Sequence, residues 1–236
     1  MGAAILDYQM YGKASNIRVL SSMFEEDVIP VAHLFRTYKE MSEIERDAID
    51  MAQGCVLDIG AGAGCHSIAL QERGVKVKAI DISPLGCRAM KCRGIKDIEC
   101  INVFCPALQG KFDTLLLLMN GTGIAGNLSG LPQLLMRLKE LMADNGQILI
   151  DSSDLKYIYE NEDGTFDIDT EGSYYGEVDY QMIYKNVKGE PFDWLYADPT
   201  LLTSVSKQCG LDCEIIKAGK HYDYLARICK QKKTEA

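Results

Sequence analysis

The sequence has few residues that could build a metal or disulfide site. It contains three histidines, His33, His66 and His221, and nine cysteines that form no CxxC pair. Zinc sites use closely spaced Cys and His ligands, so a bound metal is not expected. An odd number of scattered cysteines, in a chain without a basic and apolar leader, predicts reduced thiols and a cytoplasmic location.

Long apolar runs are also lacking. The longest, LLLLM at 115–119, is far too short to cross a bilayer and is typical of a buried parallel strand. Leu6 stands where a myristoylation signal would need Ser or Thr. No membrane partner is therefore expected.

Positive charge is scarce. The net charge is −9, and residues 157–184 include eight acids and no Lys or Arg. Such a surface repels phosphate backbones, so a nucleic-acid partner is not expected. A solvated acidic loop accounts for the charge run equally well.

Residues 1–54 are predicted to form a helical N-terminal extension. PVAHLFRTYKEM (30–41) has one apolar face, and SEIERDAIDMAQG (42–54) opens with a capping box between Ser42 and Glu45 and ends at Gly54. The extension would either pack on the following domain or cover the mouth of a site.

From Cys55 onward, strands and helices alternate regularly. The predicted strands are CVLDI, VKVKAID, IECINV, FDTLLLLM and QILID, and the last intervening helix, LPQLLMRLKELMADNG, is expected to end near Gly146. CEIIKAGKHYDYLARIC (213–229) adds two strands whose short connection requires an antiparallel pair. The pattern predicts an α/β fold with a doubly wound, mostly parallel, seven-stranded sheet and an antiparallel last strand.

One insertion interrupts this domain, which spans residues 55–236. The segment at about 155–198 begins with a polar loop, ENEDGTFDIDTEGS. It continues with EVDYQMIYKNVKGEPFDWLYAD, which predicts two strands that turn near residues 188–190. We interpret it as an inserted β-hairpin.

The stretch VLDIGAGAG (56–64) is a strand followed by a glycine turn. A phosphate-binding loop would require a following Lys and Ser or Thr, and a dinucleotide fingerprint would require glycine where Cys65 stands. Asp81 closes the next strand, where a carboxylate can accept hydrogen bonds from both hydroxyls of a ribose. Asp58 could attract a cationic group. A ligand with a ribose, a positive charge and no pyrophosphate is S-adenosylmethionine (SAM).

Four segments in order, VLDIGAGAG, VKAIDIS, FDTLLLLMNGTG and ADNGQILIDSSD, resemble the sequential motifs of class I SAM-dependent methyltransferases. The resemblance covers residues 56–154, and the closing strand pair resembles that family's reversed last strand. It implies that the methionine and ribose parts of SAM are bordered by Asp58, Gly60, Gly62 and Gly64. It further implies that Asp81 binds the ribose hydroxyls and that Ile82 flanks the adenine.

Two positions depart from common patterns of the family. The acid that often follows the third strand is missing, so adenine recognition would fall to the main chain and apolar contacts at Val103 and Phe104. Asn120, in MNGTG, stands where the family brings the acceptor close to the cofactor and would contact both. This turn differs from the (D/N)PP(Y/F) motif of many enzymes that methylate DNA bases and protein side chains. It is more similar to the turn of small-molecule methyltransferases, which implies a small-molecule acceptor.

Candidate catalytic residues are few, because methyl transfer from SAM requires alignment but no obligatory base. They are Asn120 and, at the turn before the last strand, His221 and Tyr222. The segment 157–196 could cover the acceptor, with its acids favouring a neutral or cationic one and a lid formed by Tyr174, Tyr175, Tyr180 and Trp194. Alternatively, His221 is structural and the aromatic hairpin serves packing or a homodimer contact. Cys65 and His66 are expected on different sides of a helix, which argues against a nucleophile pair.

Two other functions stay open at this point. An NAD-linked oxidoreductase would share the fold type, although Cys65 and the reversed last strand argue against it. A non-catalytic SAM-binding subunit would keep the glycine turn, and only an assay with acceptors separates it from an enzyme.

Overall fold

A computed structural model describes residues 1–161, 163–167 and 173–231 of the chain. Within these ranges, no helix combines the length and the apolar content that crossing a bilayer demands. Part of the predicted polar loop, Glu162 and residues 168–172, lies outside the described residues. The described part of that loop contains one isolated bridge, between Glu160 and Phe166.

The N-terminal extension contains strands as well as helices. It comprises α1 (Gly2–Tyr11), β1 (Ile17–Leu20), β2 (Asp27–Ile29), two 3₁₀ helices (Val31–Phe35 and Tyr38–Glu40) and α2 (Glu43–Met51). The expectation of helices alone is therefore corrected by an antiparallel β1–β2 pair. Strands of four and three residues are too short for a two-residue period to stand out in the sequence.

The predicted capping box at α2 is confirmed. The Ser42 hydroxyl accepts a hydrogen bond from the Glu45 N–H at 3.3 Å, and the Glu45 carboxylate accepts one from the Ser42 N–H at 2.9 Å. These bonds satisfy two of the main-chain donors that the start of a helix leaves free. They also fix the position of the Glu45 side chain.

The next segment forms the parallel part of the main sheet. In chain order it consists of β3 (Cys55–Ile59), α3 (Cys65–Glu72), β4 (Lys76–Asp81), α4 (Pro84–Cys92), β5 (Ile98–Cys100), β6 (Phe112–Leu117), α5 (Gly130–Leu141) and β7 (Met142–Ser153). The strands lie in the order β5-β4-β3-β6-β7, and all their pairings are parallel. Leu115, Leu116 and Leu117 of β6 are fully buried, as the apolar run predicts for a central strand.

The rest of the chain adds the insertion and the end of the sheet. After a 3₁₀ helix (Leu155–Tyr159) come β8 (Glu177–Tyr184), β9 (Val187–Lys188), β10 (Phe192–Leu195), α6 (Pro199–Gln208), β11 (Leu211–Ala218) and β12 (Asp223–Lys230). Strand β12 lies between β7 and β11 and is antiparallel to both. The predicted seven-stranded, mostly parallel sheet with a reversed last strand is confirmed.

Two predicted boundaries are wrong. Helix α5 ends at Leu141 rather than near Gly146, because Met142 already pairs with Phe112 and a register shift absorbs the following residues. Strand β5 ends at Cys100 rather than at Val103, since the Asn102 side chain accepts a hydrogen bond from the Phe104 N–H at 2.9 Å and turns the chain.

The insertion turns earlier than predicted. Strand β8 is followed by a two-residue turn at 185–186, where Lys185 has a φ of 53°. β8 then pairs with β9 along one part and with β10 along another. The predicted hairpin is thus present, with its second arm divided in two.

The extension and the insertion share a second sheet, in which β8 pairs with β1 and Val19 lies opposite Met182. The strand order is β10-β8-β1-β2, with β9 also paired to β8. A buried cluster that includes Ile5, Ile17 and Tyr184 packs this sheet against Ala63 and Ala89 of the main domain. We call this second sheet, with α1, the cover.

The cover should lose its structure when Tyr184 is truncated. Its ring is buried, and its hydroxyl donates a hydrogen bond to Asp7 at 2.8 Å. Tyr184→Ala should lower the free energy of unfolding by about 3–5 kcal/mol, since the packing of a large ring is lost. The control Tyr184→Phe removes only the hydroxyl and should lower the free energy of unfolding by about 1 kcal/mol. Hydrogen exchange should show early loss of protection at β1 in the Ala variant, and unchanged β1 protection would contradict the shared sheet.

Candidate functional site

The glycine turn between β3 and α3 presents its main chain to open space. Gly60, Gly62 and Gly64 have φ values of 74°, 60° and 80°, a region that other residues rarely adopt. A Cβ at Gly64 would lie 2.2 Å from the Ile95 side chain, whereas the nearest atoms to a Cβ at Gly60 or Gly62 are 3.5 and 3.9 Å away. Gly64 therefore permits close packing, and Gly60 and Gly62 leave room for a ligand against the main chain.

Asp81 holds this turn from the end of β4. Its carboxylate accepts hydrogen bonds from the Gly62 N–H at 2.8 Å and from the Ser83 N–H at 2.7 Å. A carboxylate has about four acceptor sites, so further donors can still bind. Asp81 is thus both a support of the turn and a free acceptor at its rim.

Asp58 lies beneath the turn rather than at its surface. The Ser67 hydroxyl donates a hydrogen bond to its carboxylate at 2.5 Å, and burial raises the pKa of Asp58. Neither Asp58 nor Gly64 lines the adjacent cavity. In this geometry Asp58 supports the first turn of α3 and Gly64 the packing of the glycine turn, and their expected contact with the cofactor stays a prediction.

A cavity of about 1100 Å³ lies between the carboxyl ends of the parallel strands and the cover. The other predicted cofactor residues all line it, namely Gly60, Gly62, Asp81, Ile82, Val103, Phe104 and Asn120. Ile82 and Phe104 expose apolar side chains at one end. Asn102 also lines this end and was missed, because the predicted third strand included it, whereas β5 ends two residues earlier at Cys100.

The turn after β6 is strained, and a half-buried acid, Asp151, holds it. Met119 and Asn120 have φ values of 69° and 61°, which is uncommon for residues other than glycine. Asp151 accepts hydrogen bonds from the N–H groups of Met119 and Gly121 at 3.1 and 3.0 Å. Burial raises the pKa of Asp151 to about 6, although these N–H groups act in the opposite direction.

The side chain of Asn120 connects this turn to the insertion. Its Nδ2 donates to the Leu195 carbonyl at 3.2 Å, and its Oδ1 accepts from the Ser152 hydroxyl at 2.9 Å. The Thr122 hydroxyl also donates to the Leu195 carbonyl, at 2.9 Å. Asn120 lines the cavity as predicted, but its amide is engaged in positioning β10.

The small residues of MNGTG allow an aromatic ring to lie directly on the turn. A Cβ at Gly123 would lie 1.9 Å from Cε2 of Trp194, and a Cβ at Gly121 would lie 2.5 Å from the Leu117 side chain. Both positions therefore exclude larger residues. The indole of Trp194 is brought to within van der Waals reach of the turn that carries Asn120.

Aromatic side chains from the insertion form the wall opposite the glycine turn. Tyr180, Phe192, Trp194 and Tyr196 all line the cavity. The Tyr180 and Tyr196 hydroxyls lie 3.0 Å apart, and burial raises the pKa of both. Both hydroxyls therefore stay neutral, and since one donates to the other, one O–H remains to donate to a ligand. Tyr196 was missed, although it continues the two-residue alternation of Phe192 and Trp194 just past the end of β10.

The predicted lid divides into two parts. Tyr180 and Trp194 line the cavity, whereas Tyr174 and Tyr175 do not. The Tyr174 hydroxyl donates to Asp198 and the Tyr175 hydroxyl to Asp154, both at 2.8 Å. These two tyrosines hold the base of the insertion through these hydrogen bonds, and their contact with an acceptor stays a prediction.

The two catalytic candidates from the turn before the last strand, His221 and Tyr222, lie in different surroundings. His221 lines the cavity with an exposed side chain. Tyr222 does not line it, because its φ of 60° directs the ring onto Tyr157, with the ring centres 5.3 Å apart. Its hydroxyl donates to Glu160 at 3.3 Å. The catalytic role of Tyr222 stays a prediction.

A buried ionic cluster ties the N-terminal extension to α3. Glu45 accepts hydrogen bonds from Arg36 Nε at 2.9 Å and from His66 Nε2 at 2.8 Å. Burial acts to lower the pKa of His66, but the neighbouring Cys65, Glu45 and Asp58 outweigh burial. The net effect raises the pKa of His66 to about 10. Cys65 and His66 both line the cavity, contrary to the expected separation. Burial acts to raise the pKa of the Cys65 thiol, but the neighbouring His66 and Arg36 lower it, so Cys65 and His66 are electrostatically coupled while Glu45 holds the His66 ring.

Comparison with known proteins identifies the family. No protein-family model and no curated protein matches the chain. A solved structure of a SAM-dependent methyltransferase from Bacteroides fragilis, in complex with S-adenosyl-L-homocysteine (SAH), is 51% identical, with a TM-score of 0.92, and the match covers 98% of this chain and 94% of that one. The chain belongs to the SAM-dependent methyltransferases, and the comparisons support neither alternative function.

Two more distant structures share the fold. A SAM-dependent methyltransferase from Clostridium acetobutylicum is 14% identical, with a TM-score of 0.60 and coverage of 85% of this chain and 95% of that one. CalS10, an amino pentose methyltransferase from Micromonospora echinaspora, is 13% identical, with a TM-score of 0.56 and coverage of 88% and 100%. At these identities the likeness extends to the fold alone.

The contact between Gly123 and Trp194 can be tested by fluorescence, because Trp194 is the only tryptophan of the chain. Gly123→Ala should displace the indole toward water and shift its emission to longer wavelength, since the added Cβ would overlap the ring. Gly74→Ala is the control. Because Gly74 has a φ of 77°, this substitution should lower the free energy of unfolding by about 1–2 kcal/mol, but nothing lies within 4 Å of the new Cβ. Equal emission spectra in both variants would contradict the contact.

Proposed function

We propose that this methyltransferase transfers the methyl group of SAM to a small-molecule acceptor enclosed between the glycine turn and the aromatic wall. The observation that carries the proposal is the single cavity that joins Gly60, Gly62 and Asp81 to Tyr180 and Trp194. Ligands of open parallel sheets bind at this edge. A cavity of about 1100 Å³ between the main sheet and the cover suits a cofactor with a small acceptor.

The residues around the glycine turn fit the nucleoside part of SAM. Gly60 and Gly62 offer main chain without a Cβ, and Asp81 retains acceptor capacity for the ribose hydroxyls. Ile82 and Phe104 expose apolar surface that can enclose the adenine ring. The amide nitrogen of Asn102 is a further polar group at this end, since Oδ1 is used by the turn.

SAM supplies a methyl group already activated by a positively charged sulfur. The protein therefore has to align the acceptor and exclude water, and alignment of this kind contributes about 7–11 kcal/mol to such reactions. Here Asn120 and Trp194 position the acceptor side through the turn after β6. His221 is the candidate base where an acceptor must lose a proton, a contribution of about 10²–10⁴-fold.

The division of the chain follows from these roles. Residues 55–236 form the methyltransferase domain, and residues 1–54 act with the insertion at about 155–198 as its cap. The β1–β8 pairing supports this division, because neither segment forms the second sheet alone. The cytoplasmic location and the homodimer contact stay predictions.

The proposed role of Asp81 predicts a loss of cofactor affinity. Asp81→Ala should weaken SAH binding by about 2–4 kcal/mol, because two charge-assisted hydrogen bonds to the ribose are removed and water replaces them in part. Glu99→Gln is the control, since Glu99 lies on the neighbouring β5, binds Lys78 and does not line the cavity. Calorimetry with SAH gives both affinities. An unaltered affinity of the Asp81 variant would place the ribose elsewhere.

The proposed acceptor wall predicts a different effect. A panel of small acceptors is first screened with SAM labelled at its methyl group, and absence of transfer to every compound would favour the non-catalytic alternative. With an acceptor found, Trp194→Phe should lower turnover at least about tenfold, because alignment is lost while the site remains. SAH affinity should stay within about threefold, a change below 0.7 kcal/mol. Tyr174→Phe, outside the cavity, is the control, and equal turnover in both variants would contradict the wall.

A further inference from the structure

Two cysteines from different elements meet next to the end of β4. Cys87 lies on α4, and Cys100 is the last residue of β5. In the parallel pairing of β4 with β5, Cys100 lies opposite Asp81, and α4 packs on β5. Neither cysteine lines the cofactor cavity. The two thiols therefore lie behind the part of the cavity wall that carries Asp81.

Both sulfur atoms contact the main chain of that wall. Cys87 Sγ lies 3.7 Å from the Asp81 carbonyl oxygen, and Cys100 Sγ lies 3.8 Å from the Ile82 carbonyl oxygen. Each contact is a weak hydrogen bond in which the thiol donates. Because Asp81 and Ile82 are consecutive residues that both line the cavity, the two thiols converge on one short stretch of the cofactor site.

The two thiols also interact with each other and differ in exposure. Burial raises the pKa of the Cys87 thiol to about 12, and a hydrogen bond with the Cys100 thiol adds to this rise. Cys87 therefore stays protonated, whereas Cys100 is exposed to reagents in solution. An accessible cysteine beside a second thiol that can complete a disulfide is the arrangement of many redox-sensing sites. In a reducing compartment such disulfides are transient.

We propose that Cys87 and Cys100 form a modification site, at which a low-molecular-weight disulfide such as glutathione disulfide oxidises both thiols to an intramolecular disulfide and thereby weakens cofactor binding. The proposal goes beyond the proposed function and requires no acceptor. It assigns to this pair a reversible chemical change that is separate from methyl transfer.

The oxidation proceeds by two thiol–disulfide exchanges. The Cys100 thiolate attacks one sulfur of glutathione disulfide, which forms a mixed disulfide and releases one glutathione thiolate that takes up the Cys100 proton. The Cys87 sulfur then attacks the Cys100 sulfur, and the second glutathione leaves with the Cys87 proton. The chain loses two electrons and two protons, and the two released glutathione molecules carry them.

The disulfide acts on the cofactor site through the contacts that it breaks. Its S–S bond is about 2.0 Å long, shorter than any hydrogen-bonded contact, so the two sulfurs must move toward each other. Both thiol protons that bind the Asp81 and Ile82 carbonyls are lost. Since the Asp81 carboxylate holds the glycine turn through the Gly62 N–H, a shift of its main chain alters the surface that binds the cofactor.

Disulfide formation is tested on the whole chain in buffers with graded ratios of reduced to oxidised glutathione. The oxidised protein should be lighter by about two mass units, because two hydrogen atoms are lost. Trypsin should release residues 79–88 joined to residues 97–111, and fragmentation of this pair distinguishes Cys100 from Cys105. Protein that stays reduced, or that carries bound glutathione without the joined peptides, would overturn the proposal.

The effect on the cofactor is measured by calorimetry with SAH. Oxidised protein should bind SAH about fivefold more weakly than reduced protein, and a reducing agent should restore the affinity. Because coupling between two equilibria is reciprocal, saturating SAH should shift the glutathione ratio at half-oxidation about fivefold toward oxidising conditions. Joined peptides with an unchanged SAH affinity would overturn the proposal.

Two serine variants assign the effect to this pair. Cys100→Ser should give no joined peptides and keep its SAH affinity in the oxidising buffer, because Cys87 then has no neighbouring thiol. Cys92→Ser is the control, since Cys92 is an exposed cysteine at the last residue of the same helix, and this variant should respond as the unaltered chain does. An equal loss of SAH affinity on oxidation of both variants would overturn the proposal.

Discussion

The pairing of β1 with β8 is the interaction on which the functional site depends. These strands are separated by more than 150 residues, and their pairing converts two short, marginal elements into one sheet. Without it, the carboxyl edge of the main sheet would be open to water, and the glycine turn would line a shallow groove. Closing a long loop costs little more entropy than closing a short one, so a few hydrogen bonds and one buried cluster can maintain the cover.

The main sheet and the cover contribute different residues to the cavity. The rigid parallel sheet supplies the turn that bears Gly60 and Gly62, with Asp81 fixing its shape from the next strand. The cover supplies the aromatic wall. The two layers also share packing, because the buried cluster of the cover includes Ala63 and Ala89 of the main domain and Leu195 of β10 packs in the core of the main sheet.

The sequence predicts the main sheet well, because each of its elements carries its own signal. An apolar run such as LLLLM and a strand followed by a glycine turn, such as VLDIGAGAG, define their elements locally. Most of the predicted cofactor residues converge because the carboxyl ends of parallel strands share one edge.

The cover could not be predicted, because its information is not local. Nothing in IRVL (17–20) identifies EVDYQMIY (177–184) as its partner, and register is set by the assembled face. The sequence also does not determine which side chains of the insertion point into the cavity, because that depends on the assembled sheet. Tyr174 and Tyr175 are as aromatic as Tyr180, yet their hydroxyls are bound by Asp198 and Asp154. Asp58 is a different case, because it belongs to a recognisable motif and yet lies beneath the glycine turn, where it binds Ser67.

Asn120 joins the two layers and shows why an amide suits that position. One end of its side chain donates to the Leu195 carbonyl of β10, and the other accepts from the Ser152 hydroxyl at the end of β7. A carboxylate there would place two acceptors against each other and lose the bond to β10, and an apolar residue would leave the Ser152 hydroxyl with one acceptor fewer. Asparagine also tolerates the left-handed φ of 61° better than most residues. The same residue therefore satisfies the strained turn, the main sheet and the insertion, which fixes the aromatic wall relative to the glycine turn.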